Sequence, residues 1–237
     1  MQRNDAVHRP TEGMWYFSMV VPVSAPPSAP RYRYVREPRP LHFPWEEEVP
    51  ESPVHLRVRT ALFLVLDGKL RGKAFVGSEQ FVYWDAANPR ACVAPDAFVR
   101  LGGPLTLPKT FRTWEHGAPH LAVEILSTSD ARDRDQVGKL ERYRRCGVRE
   151  VVFFDGETDG PVLRIWDWVE GDLVERDMTD PEASRCVILG AYWRVEPDAE
   201  LGLTLRLADD LEGKQLWLTA DERVAELEAE LARRSHK

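Results

Sequence analysis

Glu124 stands alone among apolar neighbours in Leu121-Ala122-Val123-Glu124-Ile125-Leu126. A run this short, with β-branched residues and no helical periodicity, reads as a strand buried on both faces. An ionised side chain inside such a strand must be paired or metal-bound, because leaving it alone there is expensive. A second apolar strand follows at Val151–Phe154, directly after Glu150. Between them, Asp133 to Cys146 is charged and helical in pattern, and Gly147 is placed for its C-terminal cap. Strand, helix and strand in that order predict a crossover unit, right-handed if the two strands are parallel.

A second carboxylate, Asp96, closes the turn-like Ala94-Pro95-Asp96 at another strand. On the helix, Gln136, Lys139 and Tyr143 fall at i, i+3 and i+7 and so share one face. That face leans over the Glu124 strand if the helix folds straight back. Two carboxylates and a lysine at one point are what divalent-metal phosphodiester chemistry uses. The plainer reading makes Asp96 a turn residue and Glu124 the partner of a nearby arginine.

The rest of the chain supplies the frame. Ser52 can cap a helix over 54–66, with Gly68 at its end. Phe75–Tyr83 and Ala91–Leu101 read as two antiparallel strands turning at Asn88-Pro89. Gly102–Gly117 reads as a long loop, and its neighbourhood holds His116 and His120 without a third ligand at useful spacing. Val162–Val169, Leu173–Arg176 and Val187–Val195 continue as antiparallel strands, with Leu201–Leu207 as an edge strand. Val224, Leu227 and Leu231 make one apolar stripe on a terminal helix over 221–234, too short to stand alone. The expected class is α/β with α+β character: a mixed central sheet flanked by helices, extra antiparallel strands and a short C-terminal helix.

Composition narrows the function classes. An apolar share of 43% over 237 residues suffices for a sizeable core. No apolar run approaches the about 18 residues of a membrane helix, so no membrane role and a cytoplasmic location are expected. Cys92, Cys146 and Cys186 lack any C-x-x-C spacing, which argues against a disulfide framework or a zinc knuckle. The net charge of −7 is unevenly spread. Residues 1–45 carry six arginines against Asp5, Glu12 and Glu37, a net +3 that leaves −10 on the remainder. This proline-rich segment reads as a tail, and its Arg31-Tyr32-Arg33-Tyr34-Val35-Arg36 run as either a solvated linker or an arm for nucleic acid. Residues 46–208 form the expected folded domain, and 209–237 a helix that docks or pairs.

Ala94-Pro95-Asp96, Val123-Glu124-Ile125-Leu126-Ser127, the Asp133–Lys139–Tyr143 series and Cys146-Gly147-Val148-Arg149-Glu150 together resemble the Uma-two family of restriction-endonuclease-like proteins. That family lies in the PD-(D/E)XK nuclease superfamily, and the resemblance spans roughly residues 50–207. It implies a metal-dependent endonuclease acting on DNA, with Mg2+ or Mn2+ held by Asp96, Glu124 and the backbone carbonyl of Ile125. Lys139 would then orient the attacking water or stabilise the developing charge, and Gln136 would position the same water. His55 matches a histidine of the family, and stands either beside the metal or as a structural residue bonded to the backbone; Glu79 is a weaker candidate of the same kind. One departure is plain: the lysine of the superfamily pattern, two residues after the glutamate, is Leu126 here, and Lys139 takes its place. The competing expectation is a catalytically inactive nuclease fold used for binding or assembly. A homodimer through the terminal helix is compatible with both.

Overall fold

The computed structural model describes residues 52–103, 107–126, 135–157 and 162–235. The Arg-Tyr segment and the rest of the tail lie outside the described residues. In chain order the elements are α1 (Pro53–Leu70), β1 (Ala74–Gly77), β2 (Val82–Tyr83), β3 (Cys92–Val93), β4 (Ala97–Leu101) and β5 (Phe111–Arg112). Then come α2 (Thr113–His116), β6 (Leu121–Ile125), α3 (Gln136–Cys146), β7 (Glu150–Phe154), β8 (Leu163–Val169) and β9 (Asp172–Glu175). The chain continues through β10 (Ala183–Cys186), β11 (Ala191–Asp198), β12 (Gly202–Ala208) and α4 (Ala220–Ser235).

The main sheet runs β1-β4-β6-β7-β8-β9. Only β6 and β7 are parallel within it; the other neighbours are antiparallel. The helix between that parallel pair is α3, as the strand–helix–strand pattern predicts. β6 and β7 are buried along their whole length, which is why they read as near-continuous apolar runs. One core joins Val58, Leu62, Val65 and Leu66 of α1 to Val123, Val152 and Ile165 of the sheet and to Trp193, Val195, Leu205 and Leu207 of a second sheet, β10-β11-β12. The other core gathers Ala122, Val151 and Phe153 with Tyr143 and Cys146 of α3, and with Val82, Val93 and Phe111 of a small third sheet.

Several boundaries move for identifiable reasons. α1 passes through Gly68 to Leu70, and the turn that ends it falls at Gly72, whose φ of 75° suits a residue without a side chain. The strands expected over 75–83 and 91–101 do pair antiparallel, but each is divided between two sheets. Gly77 lies so close to the Phe98 ring that a Cβ would sit 2.2 Å from it, and Glu79 adopts a φ of 49°. On the partner strand Pro95 has no N–H for the ladder. Of the strand expected over 187–195, residues 187–190 form the turn between β10 and β11, and β11 begins only at Ala191. Glu150 takes the N–H groups of Val187 and Ile188 at 2.8 and 3.3 Å, drawing them out of any ladder. Within the expected 102–117 loop lie β5 and the single turn of α2. β12 is an edge strand, as its alternation predicts.

α4 is tied at its first turn. Thr219 and Glu222 cap it reciprocally, and Glu222 takes a two-pronged bond from Arg206 of β12, both at 2.9 Å. Val224, Leu227 and Leu231 remain exposed among the described residues. Among those residues, no helix is long and apolar enough to cross a membrane.

Candidate active site

The site forms where β4 begins and β6 ends. Ala97 pairs with Val123 in the antiparallel register of β4 and β6. One residue further out, that register sets Asp96 opposite Glu124. The backbone seals the arrangement: the Ile125 N–H donates to Asp96 Oδ2 at 2.7 Å. His55 of α1 reaches the other oxygen, with Nε2 3.1 Å from Asp96 Oδ1. It stands there because Ser52 caps α1 through the His55 N–H, fixing the first turn against the sheet end.

Glu124 is held from the α3 side. Lys139 Nζ lies 2.9 Å from Glu124 Oε2, and the Tyr143 hydroxyl donates to Glu124 Oε1. Lys139 and Tyr143 are one turn apart on α3, so one helix face supplies both donors. Asp96 and Glu124 are only 6% and 7% exposed. Burial pushes the Glu124 carboxyl up to about 7, against the opposing pull of Lys139, and the nearby Asp96 charge adds to the rise. Burial also raises the Tyr143 hydroxyl well above its ordinary range, and its contact with Glu124 adds to this.

Gln136 opens α3, one turn before Lys139. Its side-chain oxygen accepts from Arg164 Nη1 of β8 at 2.8 Å. The same guanidinium grips Glu175 of β9 through Nε and Nη2 at 2.7 and 2.9 Å and lies 4.7 Å from the Trp166 ring centroid. Glu79 stands to the other side: its N–H donates to the Pro95 carbonyl, and its carboxylate is 3.7 Å from Arg59. Beside it opens a cavity of about 610 Å³ lined by Arg59, Phe63, Phe75, Ser78 and Gln80 among others. Ser78 Oγ links that wall to the site by donating to the Asp96 backbone oxygen at 2.7 Å. His120 serves the fold instead. Its Nδ1 accepts from the Leu101 N–H at 3.1 Å, and burial, with Arg100 and Arg149 nearby, lowers its pKa.

The structure thus gathers His55, Asp96, Glu124, Ile125 and Lys139 at one point, with Gln136 a turn away. Sequence reasoning placed Tyr143 on the right face but gave it no task. It passed over Arg164, whose approach depends on strand register that no local pattern encodes. Among the described residues, no group of three or more His, Cys, Asp and Glu side chains makes a cage for a metal ion. The donor set still fits magnesium or manganese, which takes only one or two protein carboxylates and fills the rest with water and phosphate. Asp96 Oδ2 and both Glu124 oxygens each have a donor described above, Asp96 Oδ1 has the His55 ring beside it, and each oxygen can accept two bonds. A cation would also relieve the opposition of Asp96 and Glu124.

A mixed central sheet with helices on both faces, extra antiparallel strands and an acid–lysine cluster at the sheet end is a fold of the restriction-endonuclease-like class. The family comparison makes this particular. The family model of Uma2, described as "Putative restriction endonuclease", matches residues 45–208, and the chain belongs to that family. Among solved structures, similarity extends to one described as a "putative nuclease belonging to DUF820", from Anabaena variabilis ATCC 29413. It is 14% identical, with a TM-score of 0.41, over 55% of this chain and 70% of that one. No curated protein matches the chain.

Proposed function

We propose that this chain is a metal-dependent endonuclease that hydrolyses phosphodiester bonds of DNA. The observation that carries the reading is the opposition of Asp96 and Glu124 across the end of β4 and β6, with Lys139 2.9 Å from the glutamate. Asp96, Glu124 and the Ile125 carbonyl would hold Mg2+ or Mn2+, which when bound supplies Lewis acidity and a water of lowered pKa. The chain's own groups do the rest. The Ile125 N–H and His55 fix the rotamer of Asp96, so its lone pairs face one direction. Glu124 must give up its proton to serve as a ligand, and Lys139 and Tyr143 both favour its anion by donating to it. Lys139 is a compact cation that can turn from Glu124 to an oxygen gaining charge on the scissile phosphate. Among the described residues no side chain is placed as a covalent nucleophile, and the proposed attack is by water in one displacement.

The second reading is a nuclease fold that binds without cutting. The Lys139–Glu124 ion pair favours it, because that pair partly neutralises the site without any metal. Supercoiled plasmid and single-stranded circles incubated with Mg2+, Mn2+ or Ca2+ separate the two. The nuclease reading expects nicking with Mg2+ or Mn2+ by the wild type and none by Asp96→Asn. Absence of cleavage across all metals and both substrates supports the binding module. A dimer through the exposed Val224, Leu227 and Leu231 stripe belongs to the same proposal, since cutting duplex DNA takes two strand scissions. Sedimentation at high protein concentration tests it, and a monomer rules it out.

A further inference from the structure

The contact between Arg164 and Gln136 carries a consequence for how substrate is held. Arginine has donors only, so the Gln136 atom 2.8 Å from Arg164 Nη1 must be the amide oxygen. With that oxygen turned to Arg164, the NH2 group is the end of the amide that faces away from the guanidinium. A donor at this position suits a phosphate oxygen. A neutral amide is no base, so it does not suit the task of taking a proton from the attacking water.

Register shows why Arg164 is the residue that does this. Glu124 pairs with Phe153, and Phe153 pairs with Arg164. Residues paired across strands project to the same face. Glu124, Phe153 and Arg164 therefore form one row under α3, and Arg164 emerges at the end of the row beside the first residue of that helix. Glu175 grips two of its nitrogens and the Trp166 ring lies against it, so the guanidinium is held as a fixed fork. Glu175 also offsets its charge. Arg164 is thus poorly suited to be the main phosphate cation and well suited to orient its neighbour.

Resting on the nuclease reading, we infer that Arg164 is a positioning residue that fixes the Gln136 amide with its NH2 toward the substrate. The two make a subsite for a backbone phosphate next to the one that is cut, one helical turn from Lys139. Gln136 touches the phosphate, and Arg164 acts through it.

The test needs no catalysis. Binding of a short fluorescent DNA duplex in EDTA is measured by anisotropy for wild type, Gln136→Ala, Arg164→Met, the double variant, Gln136→Glu and Glu175→Gln. Gln136→Ala should weaken binding roughly ten- to a hundredfold, as loss of one hydrogen bond to a charged group does. Arg164→Met should weaken it less, and the double variant no more than Gln136→Ala alone. Gln136→Glu keeps a partner for Arg164 but presents no N–H, so it should bind at least as poorly as Gln136→Ala. Glu175→Gln keeps a partner for Arg164 while removing the charge that offsets it, so it should bind more tightly than Arg164→Met, which guards against a merely structural effect. Additive losses in the double variant, or wild-type binding by Gln136→Glu, would overturn the inference. Failure of the nuclease reading would show elsewhere, as binding of DNA without metal-dependent cleavage.

Discussion

Glu124 and Glu150 sit at opposite ends of the two parallel strands at the centre of the sheet, and they are equally out of place in an apolar run. Their surroundings differ. Glu150 is 0% exposed and fully enclosed by donors: the N–H groups of Val187 and Ile188, the Trp193 indole at 3.1 Å and the Cys186 thiol, with Arg176 at 3.7 Å. It ties β7 to the turn between β10 and β11. Glu124 is 7% exposed, meets only side-chain donors described from α3, and faces a second carboxylate. A buried charge whose partners are backbone and indole groups is fastened for good. One whose partners are a lysine and a tyrosine, next to another acid, is held in a state that a cation can change.

The sharpest break in that comparison is functional. Glu124→Gln should cost cleavage a thousandfold or more, about 4 kcal/mol of transition-state stabilisation, measured as plasmid nicking in Mn2+. Glu150→Ala should do its damage to the fold instead. It strands the Trp193 indole and two backbone donors, while Arg176 keeps Asp167, so chemical denaturation should show a loss of about 3–5 kcal/mol. Retained stability in that variant would mean that the enclosure is ornamental. Lys139→Ala comes next, lowering turnover about a hundred- to a thousandfold while shifting metal affinity far less; Lys139→Arg should restore little. Equal turnover in all three proteins would remove Lys139 from the chemistry.

The smallest effect is on pH. The folded protein holds the Glu124 proton up to about pH 7, whereas the unfolded chain releases it near 4.5. The stability this contributes is complete below pH 4.5 and is lost as pH rises through 7. The change is at most about 3 kcal/mol, in protein stripped of metal with EDTA. Glu124→Gln should lack this component. An identical pH profile in the variant would show that Glu124 titrates normally.

Much of this was open to sequence reasoning. The apolar run around Glu124, the helix ending at Gly147 and the strand after it fix the parallel pair through local pattern alone. Helical spacing put Lys139 and Tyr143 on one face, but joining Asp96 and Lys139 to Glu124 rested on the family resemblance, since the residues alone also allowed a turn role for Asp96 and an arginine partner for Glu124. What stayed hidden depends on contacts distant in the chain. Gly77 breaks its strand because of Phe98, and Val187 leaves the ladder because of Glu150. Arg164 reaches Gln136 only once three strands are in register. The same logic that singled out Glu124 applied equally to Glu150, and only the identity of the donors separates them.

The central claim is that Asp96 and Glu124 together form the metal site. Calorimetric titration of Mn2+ into wild type and Asp96→Asn at pH 8, where Glu124 is ionised, tests it most directly. The account predicts one Mn2+ site per chain in the wild type, weakened at least tenfold in Asp96→Asn with the fold intact. Equal Mn2+ binding by both proteins, or none by the wild type, would contradict it.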